Sequence, residues 1–328
     1  MPDVSERDRV VAVVVAYNRR DLLLETISAL AAQSHPLAAV VVVDNASSDG
    51  SGDAVRERMP DTDLVTLPRN TGGAGGFAVG VARALEHTPR WIWLMDDDTV
   101  PTPSALAELL RAAAMVPGVT VAGSRAVWTD GRDHPMNTPR EKPLVGRTER
   151  ALAKQAGSIA IRSTSFVSML VSADAVRRHG LPVADYFIWN DDFEYSTRLL
   201  RHSKGLHVPA SVVVHKTRQF GSTDQDPGER FFYEVRNKVW MMLFSSGLSP
   251  WEKVLYSGST LRRWTRTVVR SRERTVLRTQ LRRGLAAGVR RRPASNSVCL
   301  AGLGTASDAV QRAEALWHAD HRGRVLRG

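Results

Sequence analysis

The sequence contains two groups of neighbouring carboxylates whose positions suit catalysis. The first is Asp96, Asp97 and Asp98, which directly follow the apolar run WIWLM. Adjacent carboxylates repel one another unless a cation lies among them, and their oxygens suit Mg²⁺ or Mn²⁺, which in turn hold phosphates. A solvated acidic turn is the alternative. Because the triplet ends an apolar strand, we expect a Mn²⁺ or Mg²⁺ site that neutralises a departing diphosphate.

The second group lies in the stretch WNDDFE, where Asp191, Asp192 and Glu194 stand beside Trp189 and Phe193. Aromatic surface shields a carboxylate from water and raises its pKa, which suits a general base. Acidic residues at the start of a helix also complement the helix dipole, and one acid could do this while another is catalytic. The stretch therefore predicts a general base, with Asp191 and Asp192 as the candidates.

Three further features offer groups for binding a nucleotide or a cation. Asp44 and Asn45 end an apolar strand, where a carboxylate can bind a base or ribose, although an ordinary Asx turn is also possible. The stretch RNTGGAGGF at 69–77 gives either a backbone that approaches a nucleotide closely or a turn that allows tight helix packing. His215 ends the run VVVH and could ligate the same cation, or serve the fold alone.

The elements around these residues alternate between strand and helix. Apolar, β-branched runs predict buried strands, and a segment with helical spacing of apolar residues follows each of them. This alternation indicates an α/β fold with a mostly parallel mixed sheet, in which ligands bind beyond the carboxyl ends of the strands. The acidic triplet, the glycine loop and Asp44 should therefore share one cleft. The predicted strands are 10–15, 39–43, 63–67 and 91–95, with helices beginning near 18, 52, 75 and 101.

Beyond residue 120 the pattern becomes mixed, with a loop-rich insertion at 128–157, and beyond 245 the chain is helical and basic. Residues 251–292 hold thirteen Lys and Arg against two Glu, so their net charge of +11 equals that of the whole chain. We therefore expect an α/β domain at 1–245 and a helical, basic, membrane-associating region at 246–328.

In the basic region, arginines alternate with Trp251, Leu255, Trp264, Val268 and Leu277 at roughly helical intervals, which is typical of an amphipathic helix on an anionic membrane. A solvated helical face is the alternative. Arginine-rich segments also bind nucleic acids, but that function leaves both carboxylate groups without a role. A nucleotidyltransferase would use the same cation, yet it should carry a basic phosphate loop after the first strand, where this chain has AYNRR.

The composition fits an intracellular globular protein. The chain has 328 residues, 43% of them hydrophobic, and one cysteine, Cys299, which is compatible with a reducing cytosol. The apolar run 10–16 is too short for a signal peptide, and no window reaches the ~18 apolar residues of a transmembrane helix. These features predict a cytoplasmic protein, soluble or peripheral to a membrane.

Six motifs occur together in an order that resembles one enzyme family. They are VVVAYNRRDLLLETISALAAQSH, VVVVDNASSDGS, RNTGGAGGF, WLMDDDT, WNDDFE and VVVHK. The set resembles the inverting family 2 glycosyltransferases with a GT-A fold over about residues 8–245. The resemblance implies a nucleotide-sugar site at Asp44, Asn45, Asn70, Gly72, Gly73, Asp96 and Asp97. It implies metal ligands at Asp96, Asp98 and His215, and a catalytic base at Asp191 or Asp192, of which Asp192 aligns better.

Within that family, RNTGGAGGF, WIWLMDDD and RFFYEVRN are most similar to actinobacterial galactofuranosyltransferases that start the galactan. This similarity implies UDP-galactofuranose as the donor and a polyprenyl-diphosphate-linked glycan as the acceptor, at the inner face of the plasma membrane. Related rhamnosyltransferases share most of the motifs, so dTDP-rhamnose is the alternative donor. The implied reaction is a direct displacement that inverts the anomeric carbon. Trp189 and Trp240 could stack on sugar faces.

Overall fold

The computed structural model describes residues 9–221 and 227–325, with side chains as far as Trp317. These residues form a ten-stranded sheet between layers of helices. The strands are β1 (Val10–Ala16), β2 (Ala39–Asp44), β3 (Asp63–Thr66), β4 (Trp91–Asp96), β5 (Thr99–Pro101), β6 (Val119–Val127), β7 (Arg140–Glu141), β8 (Ile159–Ser163), β9 (Met169–Ser172) and β10 (Lys204–His215). The helices are α1 (Arg20–Ala31), α2 (Ser51–Arg58), α3 (Gly72–Glu86), α4 (Ala105–Met115), α5 (Arg147–Gln155), α6 (Ala173–His179), α7 (Asp191–Leu199), α8 (Phe231–Leu243), α9 (Pro250–Arg270), α10 (Arg274–Arg290), α11 (Asn296–Cys299) and α12 (Thr305–Val325).

The sheet is mixed, as the sequence predicts. Its strand order is β3-β2-β1-β4-β9-β6-β10-β8-β7, and β5 pairs with β10. β1 pairs in parallel with both β2 and β4, while β5, β8 and β9 run against the other strands. Every residue of β1 is buried, which explains why its sequence VVAVVVA shows no polar alternation. The predicted α/β fold and its first four strands are confirmed.

Two apolar clusters fill the space between the sheet and the helices on its two faces. Glycines let α3 lie close to β1 on one of these faces. A Cβ at Gly76 would collide with Val15, and a Cβ at Gly80 would collide with Val13. The packing alternative for the glycine-rich stretch is therefore correct for Gly76. Close packing of α3 fixes the position of its N-terminus at the carboxyl end of the sheet.

The C-terminal helices contribute apolar side chains to buried clusters. Trp264 of α9 and Leu277 of α10 are buried with Phe231 and Val235 of α8. Val310 of α12 is fully buried in the cluster beside α3. The expectation that Trp264 and Leu277 face a membrane is therefore wrong, because both belong to the core. A domain boundary at residue 245 stays a prediction.

A different face of α9 is exposed and apolar. We call it the outer face of α9, and its residues are Trp251, Val254, Leu255, Leu261 and Val269. Arg262, Arg266 and Arg270 of the same helix are also exposed. Across residues 9–221 and 227–325, we find no helix with the length and hydrophobicity that a membrane crossing requires.

Candidate active site

Three of the predicted site residues meet at the carboxyl end of β4. Asp96 ends β4, Asp98 follows it, and His215 ends β10, which pairs with β5 so that His215 lies opposite Thr99. One ligand atom each from Asp96, Asp98 and His215 lie within 4.8 Å of one another. Two carboxylate oxygens and an imidazole nitrogen form a donor set that suits Mn²⁺ or Mg²⁺. The three residues assigned as metal ligands are therefore close enough to share one cation.

The imidazole of His215 is oriented by a residue of the insertion. His215 Nδ1 lies 2.8 Å from Asn137 Oδ1, and Asn137 Nδ2 donates to Ser165 Oγ at 3.2 Å. Because the amide nitrogen of Asn137 is engaged by Ser165, its oxygen faces the ring and accepts the Nδ1–H. Nε2 then carries the lone pair and lies 3.2 Å from Asp98 Oδ1. Asn137 was missed by the sequence analysis, since the insertion carries no recognisable motif.

The surroundings of Asp98 fit a bound cation. Asp98 is 1% exposed, and its Oδ1 has no hydrogen-bond partner within the described part of the chain. Its Oδ2 pairs with the guanidinium of Arg19. Burial opposes ionisation of Asp98, but in the absence of a cation, His215 protonated on Nε2 as well and Arg19 together outweigh it and lower the pKa of this carboxyl. A buried, ionised oxygen without a partner is costly, and a divalent cation would satisfy it.

Asp97 points toward the neighbouring strand end instead. Its Oδ2 accepts the backbone N–H of Tyr17 at 2.9 Å, and its Oδ1 lies 3.3 Å from Arg19 Nη1. Burial raises the pKa of Asp97 to about 7 and, together with the charge of Asp98, that of Asp96 to about 6.

Arg19 also borders an open cleft of about 350 Å³. The cleft is lined by Asn18, Arg19, Arg20, Asp21, Leu22, Asp49, Lys216 and Arg218.

The glycine loop is fastened to the end of β2 by Asn45. Asn45 Oδ1 accepts from the N–H of Thr71 at 2.8 Å, and Asn45 Nδ2 donates to Gly72 O at 2.9 Å. Asn70 Oδ1 in turn accepts the N–H of Gly72 at 2.7 Å. The side chain of Asn45 is thus used within the protein, and it shapes the loop. Its assignment as a direct nucleotide contact stays a prediction.

The other predicted nucleotide residues differ in how much space surrounds them. Asp44 is buried, and its Oδ1 accepts the N–H of Ser47 at 2.9 Å. Gly72 has a φ of +73°, and a Cβ there would collide with the carbonyl oxygen of Phe187. Gly73 differs, because a Cβ would meet no atom within 4 Å. The backbone at Gly73, at the N-terminus of α3, therefore borders open space that a nucleotide could enter.

The loop before the second carboxylate group has a strained backbone. Phe187, Trp189 and Asn190 all have positive φ angles, between +63° and +65°. Asn237 of α8 holds this loop, because its Nδ2 donates to the carbonyl oxygens of Ile188 and Trp189 at 2.9 and 2.8 Å. Three left-handed residues in a row of four are rare outside glycine, so the clamp from α8 maintains an unfavourable conformation. Asn237 ends the stretch RFFYEVRN, which carried the resemblance to galactofuranosyltransferases but gave this residue no role.

Asp191 and Asp192 begin α7 directly after this loop. Asp191 is 9% exposed, and burial followed by the charge of Asp192 raises its pKa well above the ordinary value. Burial also raises the pKa of Asp192, but the N–H of Phe193 at 2.6 Å and the charges of Lys238 and Arg140 lower it. Because the pKa of Asp191 is raised further, a proton on the pair is held more readily by Asp191, and these contacts favour Asp192 as the ionised member. This asymmetry agrees with Asp192 as the base.

Two other sequence candidates have structural roles. Glu194 forms an ion pair with Arg198 at 3.0 Å and accepts from Ser245 at 2.8 Å. Trp240 is fully buried, and its Nε1 donates to the carbonyl of Arg291 at 2.8 Å. The expectation that Trp240 stacks on a sugar is therefore wrong. Trp189 is half-buried, so a stacking role for it stays a prediction.

Comparisons with known proteins identify the family. The family model described as Glycosyl transferase family 2 matches residues 11–177. Galactofuranosyltransferase GlfT1 of Mycobacterium tuberculosis is 30% identical over 257 residues, covering 72% of this chain and 82% of that protein. The crystal structure of S. aureus TarS 1–349 in complex with UDP has a TM-score of 0.60 at 14% identity, covering 96% of this chain and 92% of that chain.

A second solved structure extends the comparison of the fold. Mannosyltransferase PcManGT from Pyrobaculum calidifontis, in complex with GDP-Man and Mn²⁺, has a TM-score of 0.52 at 18% identity and covers 98% of this chain and 90% of that chain. At such low identities, these structures establish the GT-A fold and nothing finer. The family match spans the strand ends that carry Asp44 and the acidic triplet. The chain is a GT-A glycosyltransferase that belongs to glycosyl transferase family 2.

Proposed function

We propose that the protein transfers galactofuranose from UDP-galactofuranose to a polyprenyl-diphosphate-linked glycan, with inversion at the anomeric carbon. The observation that carries the proposal is that two carboxylate groups, one at the end of β4 and one at the start of α7, lie close to each other. Asp96 and Asp98 lie beside His215, and the two groups are close enough that the charge of Asp192 raises the pKa of Asp96 and the charge of Asp96 raises that of Asp191. One group suits the leaving diphosphate and the other suits the incoming hydroxyl.

In this reaction Asp192 accepts the proton of the acceptor hydroxyl, while Asp191 retains the proton that the pair shares. The hydroxyl oxygen then forms a bond to the anomeric carbon as the bond to the diphosphate breaks. A direct displacement requires these two oxygens on opposite faces of the sugar. The base at the start of α7 and the acidic triplet at the end of β4 belong to different elements of the fold, which allows them to approach the sugar from different sides.

The donor side would hold the nucleotide diphosphate. Mn²⁺ or Mg²⁺ at Asp96, Asp98 and His215 would supply positive charge for the diphosphate as it leaves. Arg19 adds a second positive charge at the same place, because it already contacts Asp98. Asp44, Asn70, Gly73 and Asp97 would contact the nucleoside and its phosphates. The candidate cation site at Asp96, Asp98 and His215 and the open N-terminus of α3 both support a nucleotide-sugar donor.

The proposed identity of the donor sugar rests on the similarity to GlfT1, whose sequence is 30% identical to this chain over 257 residues. dTDP-rhamnose remains the second candidate, since rhamnosyltransferases share most of the motifs. Both donors would use the same cation and the same base. A choice between them depends on contacts with the sugar and the nucleobase, which a transfer assay measures directly.

A lipid-linked acceptor would require the protein to approach a membrane. We propose that the outer face of α9 lies on the inner face of the plasma membrane, with its exposed arginines near anionic headgroups. Exposed Trp251 and Leu255 would enter the interface, and Arg262 and Arg266 would remain in the headgroup layer. Tyr256 of the same helix contacts Phe193 beside the base, so this orientation brings the membrane near the cleft.

The test is a transfer assay with two donors. UDP-galactofuranose and dTDP-rhamnose would be supplied separately with a rhamnosyl-GlcNAc lipid analogue, with and without Mn²⁺ or Mg²⁺. We expect metal-dependent product from UDP-galactofuranose alone. Product from dTDP-rhamnose alone would reassign the donor and leave the mechanism in place. Equal product without any divalent cation would contradict the metal site.

A further inference from the structure

Two cations beside Asp192 lack a carboxylate partner. Lys238 of α8 is 4% exposed, and its ammonium lies 4.4 Å from the centre of the Phe193 ring. The guanidinium of Arg140 in β7 lies 5.1 Å from the same ring and 5.5 Å from the ring of Tyr256. In residues 9–221 and 227–325, neither side chain forms an ion pair or donates a hydrogen bond. Such a buried ammonium is unusual, because removing it from water is costly without a partner.

The nearest acid on α8 is already occupied. Glu234, one turn before Lys238, pairs through Oε1 with Arg263 and accepts from Trp264 Nε1 at 3.3 Å. Its Oε2 accepts from Asn190 Nδ2 at 2.7 Å. Both oxygens of Glu234 are therefore engaged by other donors. Burial lowers the pKa of Lys238 to about 8, so the ammonium still carries its charge at neutral pH.

The two cations influence the base without contacting it. Lys238 and Arg140 both lower the pKa of Asp192, yet neither forms an ion pair with it. Cations that only neutralised Asp192 would be expected to bind its oxygens. Instead, the aromatic rings of Phe193 and Tyr256 lie beside the cations and meet edge to face at 5.4 Å. Two cations without an ion-pair partner among the described residues therefore lie against an apolar wall, within electrostatic reach of Asp192.

We propose that Lys238 and Arg140 form an acceptor subsite that binds the phosphate or diphosphate of the acceptor. The inference rests on the proposed function, because it takes Asp192 as the base that the acceptor hydroxyl approaches. A guanidinium can bind two phosphate oxygens at once, and an ammonium adds a point charge. Phe193 and Tyr256 supply flat surfaces for an adjoining sugar. The donor diphosphate has its own positive groups at the acidic triplet, where Arg19 lies.

The test compares a charged and a neutral acceptor on the full-length protein. The rhamnosyl-GlcNAc diphosphate lipid analogue is matched with an alkyl glycoside of the same disaccharide that lacks phosphate. For Lys238→Gln and Arg140→Gln, we expect the KM of the charged acceptor to rise by about tenfold to a hundredfold, and that of the neutral acceptor by much less. The KM of the nucleotide-sugar donor should stay close to that of the wild type. Arg58→Gln, at an exposed position near the end of α2, is the matched control for loss of one surface charge.

Inorganic pyrophosphate provides a second probe. It should compete with the charged acceptor in the wild type and lose this effect in Lys238→Gln. Equal KM increases for both acceptors, or a raised KM for the donor alone, would overturn the subsite. If no donor gives transfer, the proposed function fails, and calorimetric binding of the two acceptors then tests the subsite independently. Equal affinity of the wild type for the charged and neutral acceptors would then overturn it.

Discussion

The two carboxylate groups, at the end of β4 and at the start of α7, consist of the same residue type, but the protein surrounds them differently. Asp98 is held by side chains from two other parts of the chain, Arg19 after β1 and His215 at the end of β10. Asp192 has one close hydrogen bond, from the N–H of Phe193 at 2.6 Å, and its nearest cations make no direct contact with it. The first carboxylate is fixed in an ionised form, and the second is left open to a substrate.

The backbone beneath the two groups differs in the same sense. Asp96 belongs to a regular parallel strand pair, whereas Asp191 follows a loop in which Trp189 and Asn190 have positive φ angles. A cation site needs rigid ligands with a constant charge, and regular strands provide both. A base must gain and lose a proton beside a mobile substrate, so strain and a raised pKa are tolerated there. Two groups of aspartates, one at the end of β4 and one at the start of α7, are therefore suited to two different roles.

The largest expected effect concerns the proposed base. Asp192→Asn should lower the rate of sugar transfer by about a thousandfold or more, because an amide cannot accept the proton. Steady-state transfer assays with UDP-galactofuranose measure this. Asp191→Asn should retain more activity, since Asp191 holds the shared proton. A nearly wild-type Asp192→Asn enzyme combined with an inactive Asp191→Asn enzyme would reverse the two assignments.

Removing a carboxylate of the acidic triplet should weaken binding of the donor nucleotide instead. Asp98→Ala should weaken Mn²⁺-dependent UDP binding by about 3 kcal/mol, because a buried cation ligand is lost. Calorimetric titration of UDP in the presence and absence of Mn²⁺ measures the change. Asp174→Asn, at an exposed ion pair with Arg177, is a control that should leave the affinity unchanged. Unaltered Mn²⁺ dependence in Asp98→Ala would contradict the assignment of this ligand.

The helix that begins with Asp191 and Asp192 also depends on α9. Arg162 of β8 pairs with Glu252 of α9 at 2.8 Å and donates to Thr197 O, near the end of α7, at 2.7 Å. Glu252→Gln leaves the buried guanidinium of Arg162 uncompensated, so we expect a loss of about 3 kcal/mol in the free energy of unfolding. Denaturant unfolding measures this loss, and the exposed Asp174→Asn variant should lose less than about 1 kcal/mol.

The same pair predicts a pH dependence. Burial would raise the pKa of Glu252, but Arg162 and Ser249 lower it from 4.5 to about 2. A carboxyl with a depressed pKa stabilises the fold at pH values above its unfolded pKa, and this contribution is lost as the pH falls toward 2. The difference in stability between wild type and Glu252→Gln should therefore shrink between about pH 4.5 and pH 2. A constant difference over this range would show that the ion pair contributes little.

The smallest expected effect concerns the orientation of His215. Asn137→Ala removes the acceptor of the Nδ1–H and should weaken Mn²⁺ binding by about tenfold to a hundredfold, since such supporting contacts fix a ligand's tautomer. Calorimetric titration of Mn²⁺ measures this without any sugar transfer. Thr138→Ala, at the exposed neighbouring position, is the matched control. A loss in Thr138→Ala equal to that in Asn137→Ala would exclude a specific role for the amide.

The residues proposed to bind the donor and its cation could largely be predicted from the sequence. The strands that end at Asp44 and Asp96 are buried on both faces, so their apolar runs mark them clearly. Parallel strands bring their carboxyl ends together, which places these residues on one edge. His215, far along the chain, was a candidate from the run VVVH with a structural alternative, and the resemblance to the family then favoured it as a ligand. Asn137 was not predictable, because its contact with His215 depends on how the insertion folds over the end of β10.

The helices α8 and α9, which pack near the proposed base, were harder to predict for two physical reasons. Helical spacing identifies an amphipathic helix but does not reveal which other element covers its apolar face. Trp264 was therefore expected at a membrane, although it packs against α8. The stretch RFFYEVRN contains Asn237 but did not reveal its role, because its partners are carbonyl oxygens of a distant loop. Sequence motifs report the residues that react, and they do not report those that hold the backbone.

The most direct test of the division between the two groups is the affinity of Asp192→Asn for UDP with Mn²⁺, measured by calorimetry beside the wild type and Asp98→Ala. Our account predicts that Asp192→Asn binds UDP and Mn²⁺ as the wild type does, although it transfers no sugar, and that Asp98→Ala binds them weakly. An equal loss of affinity in both variants would show that the two carboxylate groups act as one site, and it would contradict the separation of roles.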